Sequence, residues 1–213
     1  MTVSRNKKAI SRETSITTIK TISTKLFVDK GYSSFRVDDM AALCGFTKGT
    51  VYHYYKSKED ILFDILEDIE RSIFDEHIMA PESPRPDAAG GLLAFLYRHA
   101  EYAVRNPQEF CLLVILSMEF SNSDCRIGNK VRSIFDRLTD TLAGLIAQGV
   151  ESGEFVEVLA AHDFARVVVG CYNGNVVEWK RSNFDPTVGR SLVKGVRTLI
   201  MKALLGRPIS SSE

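Results

Sequence analysis

Apolar residues recur at intervals of three and four positions along almost the whole chain, a spacing that places them on one face of an α-helix. The pattern is clear in Ile16, Ile19, Ile22 and Leu26, and it returns in residues 61–73. Neither region shows the sustained alternation of a β-strand. The sequence therefore predicts an all-α fold. The predicted helices span residues 12–30, 37–44, 48–54, 58–78, 88–105, 107–121, 124–152, 160–182 and 186–205.

Prolines and glycines mark the breaks between these helices. Three prolines lie within residues 79–91 and end one helix, and Asp87 or a neighbour is suited to capping the next. Pro107 follows a second break, where proline fits the first turn of a helix. Residues 210–213 form a short polar tail.

The formal net charge of the 213-residue chain is zero, but the charge is unevenly distributed. Residues 1–62 carry 11 Lys and Arg against 6 Asp and Glu, whereas residues 63–213 carry 16 against 21. A basic N-terminal third on an acidic body suits a nucleic-acid-binding segment attached to a part with another role. The same asymmetry also arises by chance, so it indicates such a partner only together with a binding motif.

Cysteine usage and hydropathy predict a reduced, cytoplasmic protein without a metal or cofactor. The N-terminus is basic but lacks the apolar core of a secretory signal. No stretch reaches the roughly 20 apolar residues that span a bilayer. The four cysteines form no CxxC pair and no Cys/His cluster with the spacing of zinc ligands. They are Cys44, Cys111, Cys125 and Cys171.

Residues 37–62 meet the requirements of a helix-turn-helix. Such a motif needs a small residue where its helices cross, which Ala41 supplies, and a glycine in the turn, which is Gly45. Thr47 is placed to cap the second helix, and helix 12–30 supplies the third. A helical hairpin that matches this spacing by accident is the alternative interpretation. The apolar residues expected to pin both helices to the core are Met40, Cys44, Phe46 and Val51.

The exposed face of the second helix combines hydroxyl, basic and aromatic side chains. Tyr52 and His53 are long enough to reach base edges or thymine methyl groups in a major groove. Gly49 allows a close backbone approach to DNA. Tyr55 is better explained as a core residue, and Tyr54 is either a core anchor or a phosphate contact. Hydroxyls and lysines bind phosphate oxygens, and the candidates are Thr47, Lys48, Thr50 and Lys58.

Four short motifs stand within about residues 15–65. They are Phe27-x-x-Lys30-Gly31-Tyr32, Val37-x-x-Met40-Ala41, Gly45-Phe46-Thr47-Lys48-Gly49-Thr50-Val51-Tyr52-His53-Tyr54-Tyr55 and Ser57-Lys58-Glu59. Together they resemble the tetracycline-repressor (TetR) family, whose members are all-helical homodimers. An N-terminal three-helix domain of these proteins binds DNA, and a larger helical domain binds a small molecule and holds the dimer together. Most are repressors that their ligand releases from DNA.

The resemblance implies a helix-turn-helix DNA-binding domain at 1–57 and a helical ligand-binding and dimerisation domain at 58–213. Arg36 stands where the family often has Ser or Thr at the start of the second helix, and it can still contact phosphate. The residues that match common DNA-contact positions of the family are Thr50, Tyr52, His53, Tyr54 and Lys58.

The resemblance also implies that the last two helices pair with their counterparts in a second copy of the chain. Both carry apolar stripes, formed by Phe164, Val167, Val168 and Cys171 and by Leu192, Val196, Leu199 and Leu204.

The middle helices carry residues suited to lining a ligand cavity, although ordinary core packing is the alternative for each of them. Asn175 is the most informative, because a buried amide needs a hydrogen-bond partner. The candidates are Phe95, Tyr102, Phe110, Val114, Met118, Phe135, Leu138, Leu142, Cys171, Tyr172, Asn175 and Trp179.

No catalytic constellation is evident, since the four histidines are isolated and no nucleophile elbow, phosphate-binding loop or zinc-protease motif occurs. We therefore expect a non-enzymatic protein. The leading interpretation is a homodimeric repressor that a small apolar ligand releases from a near-palindromic operator. A DNA-binding regulator without a ligand, and an enzyme or scaffold with an incidental hairpin, are the alternatives.

Overall fold

A computed structural model of the chain describes residues 2–74 and 87–206, with side chains from residue 12 onward. Within these ranges it contains nine α-helices and no β-strand. The helices are α1 (Thr2–Ser34), α2 (Val37–Cys44), α3 (Lys48–Tyr54), α4 (Lys58–Phe74), α5 (Ala88–Arg105), α6 (Pro107–Glu119), α7 (Arg126–Glu151), α8 (Ala161–Arg181) and α9 (Pro186–Leu205).

The predicted all-α fold is confirmed, and apart from α1 the helix boundaries that can be compared agree within two residues. The α1 helix begins at Thr2 rather than at residue 12, and it is interrupted at Gly31. Asp87 caps α5 as expected, because its carboxylate accepts the Gly90 N–H at 2.8 Å. Most of the predicted break at 79–91 and the tail at 210–213 lie outside the described residues.

No helix in the described ranges combines the length and the apolar character needed to cross a membrane.

The chain divides into two compact units. The first comprises Met1–Ile69 and Ile115–Val131, and the second comprises Glu70–Val114 and Arg132–Glu213. Each unit has its own buried apolar core.

In the first unit, α1 packs on α2 and α2 packs on α3. The chain bends sharply at Gly31, whose φ of 76° and ψ of 164° belong to a region that only glycine adopts readily. The bend brings the Phe35 ring back onto Phe27, with centroids 4.1 Å apart. Fully buried members of this core include Ile19, Phe27, Met40, Leu62 and Leu66.

Polar contacts at both of its helix ends attach the segment 115–131 to the rest of the first unit. Glu119, the last residue of α6, accepts the backbone N–H groups of Tyr32 at 3.1 Å and Ser33 at 3.2 Å. Arg126, the first residue of α7, lies 3.2 Å from an Asp60 carboxylate oxygen and 3.6 Å from the centroid of the Phe63 ring. The end of α6 and the start of α7 are thus anchored to the end of α1 and the start of α4.

In the second unit, α9 packs against both α5 and α8. The first turn of α5 is capped by a residue far along the chain, because the Glu154 carboxylate accepts the N–H groups of Ala88 at 3.0 Å and Ala89 at 3.1 Å. These hydrogen bonds lower the pKa of Glu154. The fully buried core of this unit includes Leu92, Leu96, Leu112, Leu113 and Ala165.

Trp179 closes the turn between α8 and α9. Its indole N–H donates to the Asp185 carbonyl at 2.8 Å, and its ring meets Phe184 edge to face at 5.4 Å. A Cβ atom at Gly189 would lie 2.7 Å from Cε2 of this indole. Gly189 is therefore required for the close approach of α9 to the Trp179 ring.

We predict that Gly189→Ala lowers the free energy of unfolding by about 1–3 kcal/mol, since the added methyl group overpacks the ring. Gly144→Ala is the matched control, because a Cβ atom at Gly144 of α7 meets nothing within 4 Å. Relief of the helix penalty of glycine should stabilise that variant by up to about 1 kcal/mol. Urea unfolding of both variants measures the difference, and equal effects would contradict the packing argument.

Candidate nucleic-acid interface and apolar cavity

The turn between α2 and α3 has the backbone geometry that the sequence predicted. Gly45 lies in the left-handed region with a φ of 69° and donates its N–H to the Ala42 carbonyl at 3.1 Å. Thr47 caps α3 by accepting the Thr50 N–H at 3.1 Å. The apolar side chains of Met40 and Val51 are buried beneath the turn. The two helices of the motif are thus fixed by local hydrogen bonds and by a shared core.

Two aromatic side chains project from the exposed face of α3. Tyr52 is 47% exposed and His53 is also exposed, whereas the preceding residue of the same helix, Val51, is buried. Tyr54 is half-buried and packs edge to face on His53, with ring centroids 5.2 Å apart. Tyr55 is a core residue, as predicted, and its hydroxyl donates to Asp64 at 2.5 Å.

The helix face around Tyr52 and His53 also carries polar and basic groups. The other surface residues at positions predicted to contact DNA are Arg36, Thr47, Lys48, Gly49 and Thr50, the last of which is half-buried.

Acidic residues at the start of α2 pair with two lysines near this face. Lys48 lies 2.9 Å from an Asp38 oxygen, and Lys30 lies 3.1 Å from an Asp39 oxygen. All four side chains are about half exposed. Exposed pairs of this kind contribute little to stability, so each lysine can exchange its carboxylate for a phosphate.

Lys58 has partners within the first unit. Its ammonium donates to the Tyr32 carbonyl at 2.8 Å and lies 4.2 Å from the centroid of the Tyr32 ring. This side chain thereby ties the start of α4 to the end of α1. Its assignment as a DNA contact stays a prediction. To bind a phosphate, the ammonium must either donate to the phosphate and the Tyr32 carbonyl together or leave the carbonyl.

The second unit contains an apolar cavity of about 70 Å³. Aromatic and aliphatic side chains from α5 to α9 form most of its wall, and none of the described residues that line it is charged. The lining residues are Phe95, Leu96, His99, Ala100, Ala103, Val104, Phe110, Leu113, Val114, Phe135, Leu138, Leu142, Val169, Tyr172, Asn173, Asn175, Val176, Trp179, Gly189, Leu192 and Val193.

Nine of the twelve sequence candidates lie in the wall of this cavity. Asn175 has the hydrogen-bond partner expected for a buried amide, because its side-chain N–H donates to the Leu192 carbonyl at 3.3 Å. Three candidates lie elsewhere. Tyr102 donates its hydroxyl to Glu109, Met118 is 64% exposed, and Cys171 lies on the outer side of α8, one residue before Tyr172. Helical periodicity separates such neighbours by about 100°.

His99 is a cavity residue that the sequence argument missed. It was judged isolated, since none of the other three histidines lies close to it in the sequence. The sequence feature that could have identified it is the three- and four-residue spacing that places it with Phe95, Leu96 and Ala103 on one face of α5.

The cavity wall contains two buried polar atoms, one on His99 and one on Tyr172. Nδ1 of His99 lies 3.2 Å from the Phe95 carbonyl, and the rings of these two residues are 4.1 Å apart. Nε2 of His99 and the hydroxyl of Tyr172 are buried, and neither has a hydrogen-bond partner in the described part of the chain. A buried polar group without a partner costs about 1–3 kcal/mol.

The predicted apolar stripes of α8 and α9 are divided between the core and the surface. Phe164 and Val168 of α8 are buried within the chain, as are Val196 and Leu204 of α9, because these positions face the neighbouring helices. They are therefore not available to a second copy, contrary to the expectation that both stripes pair with their counterparts.

Several small and apolar residues do remain on the outside of the two helices. Val167 is 52% exposed and Leu199 is 69% exposed. A Cβ atom at Gly170, Gly174 or Gly195 would meet nothing within 4 Å. Small and apolar residues on the outside of α8 each lie three or four positions from another, which places them along one broad face, and they are Val167, Gly170, Cys171, Gly174 and Val177.

An exposed recognition helix held by a glycine turn on a three-helix core defines a helix-turn-helix DNA-binding protein. Residues 23–65 match the family model described as bacterial regulatory proteins of the tetR family. The motif resemblance is thereby confirmed, and residues 23–65 carry the N-terminal DNA-binding segment of the TetR family of transcriptional regulators.

Similarities to known proteins extend beyond this segment. The solved structure of the MbdR regulator from Azoarcus sp. CIB superposes with a TM-score of 0.78 at 29% identity, over 90% of this chain and 100% of that one. The fatty acid metabolism regulator protein of Bacillus subtilis (strain 168) is 23% identical over 155 residues, covering 73% of this chain and 78% of that protein. The HTH-type transcriptional repressor DhaR of Mycobacterium sp. (strain GP1) is 24% identical over 162 residues, covering 74% and 78%.

Proposed function

We propose that this protein is a homodimeric repressor that binds a near-palindromic operator and leaves it when a small, largely apolar ligand occupies the cavity. One observation carries the proposal: the chain holds an exposed recognition helix in one unit and an apolar cavity in the other. DhaR is named a repressor, and the Bacillus subtilis relative is named for fatty acid metabolism, which supports repression and an apolar ligand. In this proposal residues 1–57 bind DNA, and residues 58–213 bind the ligand and the second copy.

We assign base reading to Tyr52 and His53, because both side chains project from the exposed face of α3. The remaining polar groups of this surface position the helix on the phosphates. A two-fold dimer presents its two recognition helices to successive major grooves about 34–36 Å apart, which requires matching half-sites. The phosphate contacts are assigned to Arg36, Thr47, Lys48, Gly49, Thr50, Tyr54 and Lys58.

We predict that Tyr52→Ala and His53→Ala weaken binding to the operator more than binding to random duplex DNA. Lys48→Ala should weaken both to a similar extent and lower the salt slope of log K by about 1, as expected when one phosphate contact is lost. The operator is first selected from a random-sequence duplex library with the purified protein, and fluorescence anisotropy then measures affinity at several salt concentrations. Equal losses on both DNAs for all three variants would remove the base-reading assignment.

The outward face of α8 and α9 is the proposed dimer interface. An apolar, glycine-containing face permits close approach of helices from a second copy. We predict that the double variant Val167→Glu/Leu199→Glu raises the dimer dissociation constant by at least about 100-fold, since uncompensated buried charges cost about 2–5 kcal/mol.

Leu159→Glu is the matched control, because Leu159 is an exposed leucine in the segment before α8. Sedimentation velocity measures the dissociation constants, and the double variant should also lose operator affinity. A double variant that stays dimeric would place the interface elsewhere.

The size of the cavity links ligand binding to a change of shape. Ligand pockets typically measure about 300–1,000 Å³, so a ligand must widen a cavity of about 70 Å³ by moving its walls. Phe110 and Val114 of α6 form part of that wall, and Glu119 at the end of the same helix binds the backbone of Tyr32 and Ser33. A displacement of α6 thus changes the support of α1.

By linkage, DNA lowers the affinity for the ligand by the same factor as the ligand lowers the affinity for DNA. Couplings of this kind are typically about 1–3 kcal/mol, or roughly 5- to 150-fold.

We predict that Ala103→Leu, which fills the cavity, leaves operator affinity unchanged without ligand but raises at least tenfold the concentration needed for release. Ala143→Leu on α7 is the matched control, because Ala143 does not line the cavity. The probes are medium-chain fatty acids, alkylphenols and hydrophobic drugs, and operator release is followed by anisotropy. Absence of release and of any change in Trp179 fluorescence across all three classes would favour a regulator without a ligand.

A further inference from the structure

Two polar atoms of the cavity wall that lack hydrogen-bond partners restrict the class of ligand further than the apolar wall alone does. His99 is 8% exposed on α5, and Tyr172 lies in the wall on α8. Both Nε2 of His99 and the Tyr172 hydroxyl are buried and lack a hydrogen-bond partner among the described residues. Such groups gain a hydrogen bond when a ligand that carries the complementary group enters the cavity.

The contact with Phe95 fixes the tautomer of His99. The Phe95 carbonyl, 3.2 Å from Nδ1, can only accept, so Nδ1 carries the proton in this contact. Burial lowers the pKa of His99 to about 4, and the imidazole is therefore neutral at pH 7. Nε2 consequently presents a lone pair and seeks a donor.

Tyr172 offers the opposite capacity. Burial raises the pKa of Tyr172 to about 12, so its hydroxyl stays protonated and can donate. The described wall contains no lysine, arginine or carboxylate, and the charges of Arg98 and Arg197 act on His99 and Tyr172 from outside it. The lone pair of His99 also repels a carboxylate.

We propose that the cavity selects an uncharged alcohol or phenol with an apolar body, whose hydroxyl donates to Nε2 of His99 while an oxygen of the ligand accepts from the Tyr172 hydroxyl. The inference rests on the proposed function only in taking the cavity as the ligand site. It adds the class of head group, which excludes carboxylates and quaternary amines as the preferred ligands.

Three probes with the same number of non-hydrogen atoms test the head group: 4-propylphenol, the methyl ether 4-ethylanisole, which lacks the donor, and 4-methylbenzoate, which carries a charge. Isothermal titration calorimetry of the full-length protein at pH 7.5 measures each affinity. Trp179 lines the cavity and is the sole tryptophan of the sequence, so its fluorescence reports binding at this site. We expect the phenol to bind about tenfold more tightly than the ether and the benzoate.

Variants then assign the preference to individual atoms. His99→Phe should reduce the ratio of phenol to ether affinity to about 1, and His99→Leu should do the same if the larger ring disturbs folding. Tyr172→Phe should weaken the phenol severalfold. Tyr97→Phe is the matched control, since Tyr97 is an exposed tyrosine of α5 outside the cavity wall, and it should leave all three affinities unchanged.

The outcomes separate this inference from the proposed function. Phenol selectivity that depends on His99 without operator release would support the ligand class and refute the release mechanism. Operator release by the benzoate or the ether with no preference for the phenol would support the mechanism and overturn the ligand class. A preference for the phenol that persists in both His99 variants, or no binding of any probe, would also overturn it.

Discussion

The bend at Gly31 is the constraint on which the DNA-binding unit depends. With a φ of 76° and a ψ of 164°, this residue turns the chain so that Phe35 stacks on Phe27 in the core. Any other amino acid there is strained, because the conformation is essentially restricted to glycine. The residues just after the bend then receive contacts from three other parts of the unit. Lys58 binds the Tyr32 carbonyl, Phe120 packs on the Tyr32 ring, and Glu119 caps the exposed N–H groups.

The sequence predicts those features that depend on neighbours a few residues away. Gly45 and Thr47 act through bonds within four positions, and Asp87 caps its own helix. Such local chemistry has recognisable residue preferences, so the turn, the caps and the exposed face of α3 could all be predicted. The same reasoning identified most of the aromatic wall of the cavity, because apolar spacing shows which helix face is buried.

Long-range contacts could not be predicted in this way. Glu119 binds Tyr32 and Ser33, which lie 87 and 86 positions earlier in the chain, and no local sequence pattern predicts that pairing. The stripe on α9 was misjudged for a related reason. Apolar spacing cannot tell a face buried within the chain from one that is free for a second copy, and Val196 proved to be buried while Leu199 is exposed.

The ion pairs at the start of α2 have a consequence for the proposed recognition of DNA sequences. Asp38 already holds Lys48, so a phosphate that captures this lysine leaves a carboxylate without its cation. The net gain in binding free energy is therefore the attraction of Lys48 to the phosphate minus its attraction to Asp38, and the two are similar. Attraction to nucleic acid in general is thereby held down, since it comes mainly from such charges. The base contacts proposed for Tyr52 and His53 involve no such exchange of an ion pair. If these two side chains read bases as proposed, a larger share of the discrimination between sites is left to them.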